Sequence, residues 1–350
     1  MRVLVALSGG VDSSVAAALL AEQGHSLVGV TFHLWDAEGE NKVGRCCAPE
    51  DRDDARKSAE QLGFPHYVID ERGAFRSHVV EPFLDAYLGG TTPAPCVACN
   101  QHVKVARLVE LADRFGCERI ATGHYARIAR DPQGRARLLR GRDRNKDQSY
   151  FLYGVAPSVL DRLLFPLGDF EKAETRAEGV RLGVPNAHKP DSQELCFVPD
   201  GDIGGFVERE RDVAERGAIV EPDGAVVGEH RGIYRYTVGQ RRGLALGGGP
   251  ARYVLRVLNE QRQVVVGDES QLFTDRLEAR APAWCGPRPE QPFEAEVRVR
   301  YRHAGARAWV FPAADSFRVE FESAQRAITP GQAAVVYAGD EVVGGGIIAS

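Results

Sequence analysis

The residues best equipped for chemistry open the chain, as Ser8-Gly9-Gly10-Val11-Asp12-Ser13-Ser14. Two adjacent glycines let the backbone approach an anion. A helix starting at that point adds free N–H groups at the positive end of its dipole. The pattern is one for holding phosphate, but no Gly-Lys-Ser/Thr closes it, so it is not a Walker loop. Two cysteine neighbourhoods follow, Thr92-Pro93-Ala94-Pro95-Cys96-Val97-Ala98-Cys99-Asn100 and Lys189-Pro190-Asp191-Ser192-Gln193-Glu194-Leu195-Cys196-Phe197. A thiolate is a nucleophile, a carrier of sulfur and a soft metal ligand. Cys96 and Cys99 form a Cys-x-x-Cys, and Cys46-Cys47 lies in a polar loop. Cys117 and Cys285 read as structural.

Positioning these groups calls for an α/β frame. Arg2–Leu7 is an apolar run of strand length, and Ser13–Gln23 is rich in helix formers and stopped by Gly24. Further strands are expected at Leu27–Trp35, His66–Asp70 and Arg119–Thr122, with helices at Glu50–Leu62, Ala74–Leu88 and His102–Phe115. This alternation predicts a parallel sheet with its ligands at the carboxyl ends of the strands, where Ser8, Phe32 and Gly123 converge. Asp131-Pro132-Gln133-Gly134 marks a hairpin between Ala126–Ala129 and Arg135–Leu139, and Val155–Leu182 is helical in character. Beyond about residue 205 the segments turn short and β-like, and Glu294–Tyr301 alternates apolar with polar side chains. The expected architecture is an α/β parallel-sheet domain over 1–204, a small central domain over 205–275 and a C-terminal β-barrel over 276–350.

Composition narrows the class. With 350 residues and 43% hydrophobic content the chain has material for two or three packed domains. No apolar run approaches the ~20 residues of a membrane span. Seven cysteines and a strand-like N-terminus lead us to expect a reducing, cytoplasmic setting without an export signal. The net charge of −5 hides local excess: residues 101–150 carry twelve Lys/Arg against six Asp/Glu, and 231–262 hold seven Arg and one acid. Such clustering predicts a face for a phosphate-rich partner.

The Ser8–Ser13 loop resembles the SGGxDS loop of enzymes that split ATP between its α and β phosphates to adenylate a substrate. Further blocks make the resemblance specific: Ala121-Thr122-Gly123-His124-Tyr125-Ala126, Lys146-Asp147-Gln148-Ser149-Tyr150-Phe151-Leu152, Phe165-Pro166-Leu167-Gly168, Tyr236-Thr237-Val238-Gly239-Gln240-Arg241-Arg242-Gly243-Leu244, Arg300-Tyr301-Arg302 and Pro330-Gly331-Gln332. Together with both cysteine motifs, and in this order along the whole chain, they resemble the bacterial tRNA-specific 2-thiouridylase family.

That resemblance implies adenylation of the C2 oxygen of a tRNA wobble uridine, followed by its replacement with sulfur. It implies an ATP site of Ala6, Leu7, Ser8, Gly9, Gly10, Val11, Asp12, Ser13, Phe32 and Gly123, with Mg²⁺ between Asp12 and the phosphates. It also implies a persulfide on Cys196, a second thiol at Cys99 and a transient Cys99–Cys196 disulfide. Ala94, Pro95, Cys96, His124, Lys146, Asp147, Gln148, Arg300, Tyr301 and Gln332 match family tRNA contacts. The implied partners are tRNAs for Lys, Glu and Gln and a protein persulfide donor, either a cysteine desulfurase or a relay protein. One departure stands out: where many members read Thr-Pro-Asn-Pro-Asp this chain has Ala94 and Cys96, so the acid/base position is occupied by a thiol. Cys96, Cys99 and Cys196, with Cys46 or Cys47, could also hold a labile iron–sulfur cluster. The alternatives are another ATP-dependent ligase or amidotransferase with the same loop, and a non-catalytic tRNA-binding sulfur carrier.

Overall fold

The computed structural model describes residues 1–36, 49–191, 195–198, 200–247 and 249–350. Cys46 and Cys47 lie outside these residues. The chain packs as two compact units, one of Met1–Val79, Cys96–Gly201 and Asp340–Val342, the other of Val80–Pro95, Asp202–Gly339 and Val343–Ser350.

The first unit is built on five strands: Arg2–Ala6 (β1), Ser26–His33 (β2), His66–Asp70 (β3), Arg119–Ala121 (β4) and, after a hairpin of Ala126–Arg130 (β5) and Ala136–Arg140 (β6), Leu163–Leu164 (β7). They pair in the order β3-β2-β1-β4-β7, every pair parallel. Val3, Leu4 and Val5 are fully buried, as a central strand covered on both faces requires. Because β1 neighbours β2 on one side and β4 on the other, the chain leaves the sheet in opposite directions at this point. That opens a crevice at the carboxyl ends of β1 and β4. Helix α1, Val11–Glu22, follows β1, and Val15, Ala16 and Ala17 in it are fully buried. Small side chains there let the helix lie close on the sheet.

Several elements depart from the sequence reading. The expected helix over 74–88 is two helices, Arg72–Phe75 and Glu81–Leu88, joined by a π-helical turn at Arg76–Val80. Pro82 stands in the first turn of the second helix, where its missing N–H costs nothing. Val155–Leu182 contains a strand, β7, whose two residues are too short to carry a periodic signal and which forms because Ile120 and Ala121 offer a free edge. Its helices are Pro157–Leu160 and Lys172–Arg181.

In the second unit, Gly217–Val220, Val226–His230, Tyr253–Leu258 and Gln263–Gly267 form a four-stranded sheet over Ile219, Tyr236, Val254, Val264 and Val266. The C-terminal barrel runs Phe273–Trp284, Ser316–Arg326, Ala306–Pro312, Phe293–Arg298, Ala333–Ala338 and Glu341–Ile348, and closes where Ala279 pairs with Ile348. Val297, Val310, Phe317, Val319 and Val336 fill it, each fully buried. Closure pairs the first of these six strands with the last. The alternation read at Glu294–Tyr301 ends as a strand at Arg298, which leaves Arg300 and Tyr301 in the turn beyond it. Among the described residues no helix is long and apolar enough to cross a membrane.

Candidate active site

The phosphate-type loop lies at the carboxyl end of β1. Gly9 adopts a φ of 74°, and Gly10 caps α1 with no side chain of its own, its N–H making only a long 3.4 Å bond to Ser8 Oγ, an arrangement suited to an anion at the helix N-terminus. Ser13 braces the turn: its hydroxyl donates to Gly10 O at 3.1 Å and accepts from Ser8 N at 3.1 Å. Gly123, at the end of β4, approaches so closely that a Cβ there would lie 2.7 Å from Ser13 N. Leu7 and Phe32 are buried beside the loop's strands and Ala6 is half-buried. The residues expected to hold nucleotide therefore gather at the carboxyl ends of three neighbouring strands, β2, β1 and β4.

Asp12, in the first turn of α1, is held by two side chains from outside the loop. Lys172 Nζ donates to both of its oxygens, at 2.7 and 2.9 Å, and Tyr125 OH donates to Oδ1 at 3.0 Å. A Mg²⁺ bonded to Asp12 would share the carboxylate with the Lys172 ammonium, through an Oδ2 lone pair that these hydrogen bonds do not use. A magnesium ion carried by a nucleotide's own phosphates needs nothing from Asp12.

The two sulfur positions are in the same unit. Cys99 is buried and opens a π-helical turn, Cys99–Lys104, inside an otherwise α-helical run from Pro95 to Arg114. Such a bulge shifts the register of the side chains beyond it and recurs at functional sites. Cys96, three residues earlier, is exposed, and Cys196 is intermediate. Among the described residues no three His, Cys, Asp or Glu side chains gather to hold a metal ion, which leaves the expected iron–sulfur cluster without support.

The chain leading to Cys196 is fastened to the loop by residues to which the sequence reading gave no role. Asn186 Nδ2 donates to Gly9 O at 2.8 Å and to Ser14 Oγ at 3.2 Å. Lys189 Nζ donates to Gly9 O at 3.2 Å, to Asp54 at 2.7 Å and to Asp51, which is almost wholly buried. Burial works against the Lys189 charge, but these two carboxylates outweigh it and raise the pKa. Arg176 donates to Ala187 O and Lys189 O, both at 3.0 Å, and to Asp191 at 2.8 Å. Asp191 also accepts from Lys172 and Lys146, each at 2.8 Å. Burial would lift its pKa, yet the two ammoniums hold it at about 2. The only sequence signal was position: Lys189 and Asp191 stand in the same block as Cys196, and Lys172 closely follows Phe165–Gly168.

The expected tRNA contacts divide by side chain. Lys146 ends on Asp191. Asp147 is 2% exposed and its Oδ1 accepts from Gly141 N and Ser149 N, both at 3.1 Å. Gln148 Oε1 accepts from Tyr125 N at 3.0 Å. Asp147 and Gln148 thus shape their turn. In the second unit Gln332 Nε2 donates to Thr92 O and Pro93 O, both at 3.0 Å, so it holds the irregular stretch that leads through Ala94 to the helix starting at Pro95. Arg300 donates to Arg326 O at 3.2 Å, and Tyr301 is partly exposed in the turn after its strand. The arginine excess of 101–150 is also partly absorbed: Arg107 pairs with Glu71, Arg127 and Arg144 with Asp340, Arg130 with Asp161, and Arg135 and Arg137 with Asp131. The two pairs half-exposed on both sides, Arg130–Asp161 and Arg144–Asp340, are weak enough to exchange for phosphate.

His124 follows Gly123, with Nδ1 sharing a 2.8 Å hydrogen bond with the Thr122 hydroxyl. Burial, and secondarily Lys104, lowers its pKa to about 3. It is therefore neutral at pH 7. The unfolded chain takes up a proton near pH 6.5 that the folded chain refuses until about 3. Stability is thus fully present above 6.5 and falls with pH below it, by up to about 1.4 kcal/mol per unit from this group. His66, His230 and His303 are shifted in the same direction by burial. Urea melts at pH 7 and 5.5 are expected to show a lower midpoint at the lower pH, and His124→Gln to shrink that difference.

Comparison with known proteins follows the same divisions. A family model described as tRNA methyl transferase HUP domain matches residues 1–200, a tRNA methyl transferase PRC-barrel domain matches 204–268, and an aminomethyltransferase beta-barrel domain matches 274–348. A protein of Sorangium cellulosum named tRNA-specific 2-thiouridylase MnmA is 51% identical over 99% of this chain and 92% of its own length. Proteins of the same name from Solibacter usitatus and Syntrophotalea carbinolica are 46% and 47% identical, each over 99% of this chain and 98% of their own length.

Proposed function

The chain belongs to the tRNA-specific 2-thiouridylase family, and from that premise we propose that it uses ATP to exchange the C2 oxygen of a tRNA wobble uridine for sulfur. The observation that carries the reading is the clasp between Gly9 and the segment before Cys196, made by Asn186 and Lys189. It supports a reading in which activation and sulfur delivery share one frame.

The chemistry follows from what each part can do. A uridine C2 carbonyl is a poor electrophile, and its oxygen a poor leaving group. Attack of that oxygen on the α-phosphorus of ATP forms an O–P bond and expels pyrophosphate, which the N–H groups of Gly10–Ser13 are suited to receive. Sulfur arrives as a persulfide on Cys196. The Cys99 thiolate attacks Cys196 Sγ, breaking the persulfide S–S bond, forming a Cys99–Cys196 disulfide and releasing hydrosulfide. Hydrosulfide adds to C2, AMP leaves, and the 2-thio product forms with loss of a proton. Two electrons from an external thiol then reduce the disulfide. In this scheme the uridine is unstacked to reach the strand ends. His124, neutral, offers a hydrogen bond there rather than a charge. Cys96, exposed, occupies the acid/base position.

We propose with this reading the division at 204/205 and 275/276, the persulfide donor protein and a cytoplasmic location, where tRNA is modified. The decisive experiment incubates the purified protein with ATP, sulfide or a persulfide donor, and unmodified tRNA, then measures nucleosides by mass spectrometry and pyrophosphate by a coupled assay. The expected result is 2-thiouridine together with tRNA-dependent pyrophosphate. Pyrophosphate without tRNA would point to a ligase acting on a small substrate, and tRNA binding without either product to a carrier.

A further inference from the structure

Cys96 and Cys99 stand one helical turn apart and differ in what can reach them. Cys96 lies in the turn Pro95–Ala98 and is exposed, whereas Cys99 opens the π-helical turn that follows and is only 5% exposed. Ala98, just before Cys99, is helical, with φ −57° and ψ −42°. The two cysteine side chains therefore project from neighbouring positions on one face. Cα atoms three residues apart in a helix are about 5 Å from each other, within the roughly 4.4–6.8 Å that a disulfide spans. The pair can be bridged without undoing the helix. Cys196 is intermediate in exposure, and its neighbour Phe197 is buried against Phe75 and Trp35, at ring-centroid distances of 5.6 and 6.4 Å. From solvent to interior the order of the thiols is Cys96, Cys196, Cys99.

The inference rests on the sulfur-release step proposed above, which ends with Cys196 joined to Cys99. One sulfur of that disulfide is then buried. An external monothiol is left to attack Cys196, and it places a mixed disulfide on the atom that the next sulfane sulfur needs. Cys96 offers a route without that obstruction. We propose that Cys96 is the resolving thiol of the cycle. Its thiolate attacks Cys99 Sγ, the Cys96–Cys99 bond forms, and the Cys99–Cys196 bond breaks. Cys196 leaves with the electron pair and takes up a proton, balancing the one that Cys96 gave up. The exchange oxidises and reduces nothing on balance; the disulfide moves. An external thiol then attacks the exposed Cys96 Sγ and frees Cys99, and a second frees Cys96, so that two electrons enter in all. As a neighbour one turn away, Cys96 reacts without waiting for diffusion. The role is catalytic, since its sulfur bonds to a reacting atom. A carboxylate in its place could move a proton but not a disulfide.

The test follows the disulfides themselves, without ATP or tRNA. Reduced full-length protein receives one equivalent of inorganic polysulfide, is quenched in acid at intervals, alkylated, and mapped by non-reducing peptide mass spectrometry. In the native sequence a Cys99–Cys196 disulfide is expected first, then Cys96–Cys99 with Cys196 alkylated. Cys96→Ser and Cys96→Asp should stop at Cys99–Cys196. On addition of glutathione both variants should regain the Cys196 thiol about tenfold more slowly than the native protein, through glutathionylated Cys196. Cys196→Ser should form neither disulfide. Native protein that keeps Cys99–Cys196 with Cys96 alkylated would overturn the proposal, as would native-rate reduction of Cys96→Ser. Native-rate reduction of Cys96→Asp alone would also overturn it, by assigning Cys96 a proton transfer instead. So would native-rate formation of Cys96–Cys99 in Cys196→Ser, because sulfur would then enter at Cys96. The mapping of the native protein needs no substitution and decides the matter even where a variant does not fold. Failure of the thiolation reading shows separately, as absence of 2-thiouridine from the native protein.

Discussion

Cys196→Ser protein, supplied with ATP, tRNA and a persulfide donor, is expected to form no 2-thiouridine while still releasing pyrophosphate. Serine keeps the size and the hydrogen-bonding capacity of the side chain but cannot carry a sulfane sulfur, so sulfur transfer by this route falls by at least about 10³-fold. Activation is expected to survive because the groups suited to it are elsewhere: the α1 N-terminus and Gly123. Cys99→Ser should behave alike in product formation but accumulate a persulfide on Cys196, detectable as a 32 Da adduct that reductant removes (the mass of one sulfur, ~32). Full thiolation by both serine variants would refute the assignment of either cysteine.

Gly9→Ala is expected to remove ATP use by about 100-fold or more and to destabilise the first unit by roughly 2–5 kcal/mol. Two effects combine. A φ of 74° is left-handed backbone that an alanine enters only at a cost of about 1–2 kcal/mol. In addition, a Cβ at this position would lie 2.0 Å from the Asp51 carbonyl oxygen. The helix Pro49–Gln61 would have to retreat, and with it Asp51 and Asp54, the partners of Lys189. The clasp on the Cys196 segment would be disturbed as well as the loop. Gly24→Ala is the control, with a φ of 78° but nothing within 4 Å of its would-be Cβ. It should show the conformational cost alone, with activity intact. Urea midpoints and pyrophosphate release distinguish the two.

The history of Asp12 illustrates the difference between motif and site. As a carboxylate in a phosphate loop it implies a metal between like charges. In the fold it is neutralised by a lysine 160 residues away. Lys146 likewise reads as a phosphate contact from its block, yet its ammonium rests on Asp191. Neither partner could be chosen from the sequence, because a lysine's local context says nothing about which distant carboxylate the packing of helix Lys172–Arg181 against α1 will bring within 3 Å. The barrel and the parallel sheet were legible because apolar periodicity is local. The π-helical turn at Cys99 was not, since one extra residue in a helical turn leaves no compositional trace.

The sequence by itself determined the chemistry on offer: a glycine turn between an apolar strand and a helix, and two cysteines in distinct motifs. Contiguous residues build a phosphate loop, so its residues announce it. Only the tertiary structure decided how those chemistries are joined. The joint is made by Asn186, Lys189, Asp191, Arg176 and Lys172, side chains on separate segments whose hydrogen bonds and charges meet after the core has closed. Each is an ordinary polar residue until folding removes water from around it and leaves a carboxylate or a carbonyl as its partner.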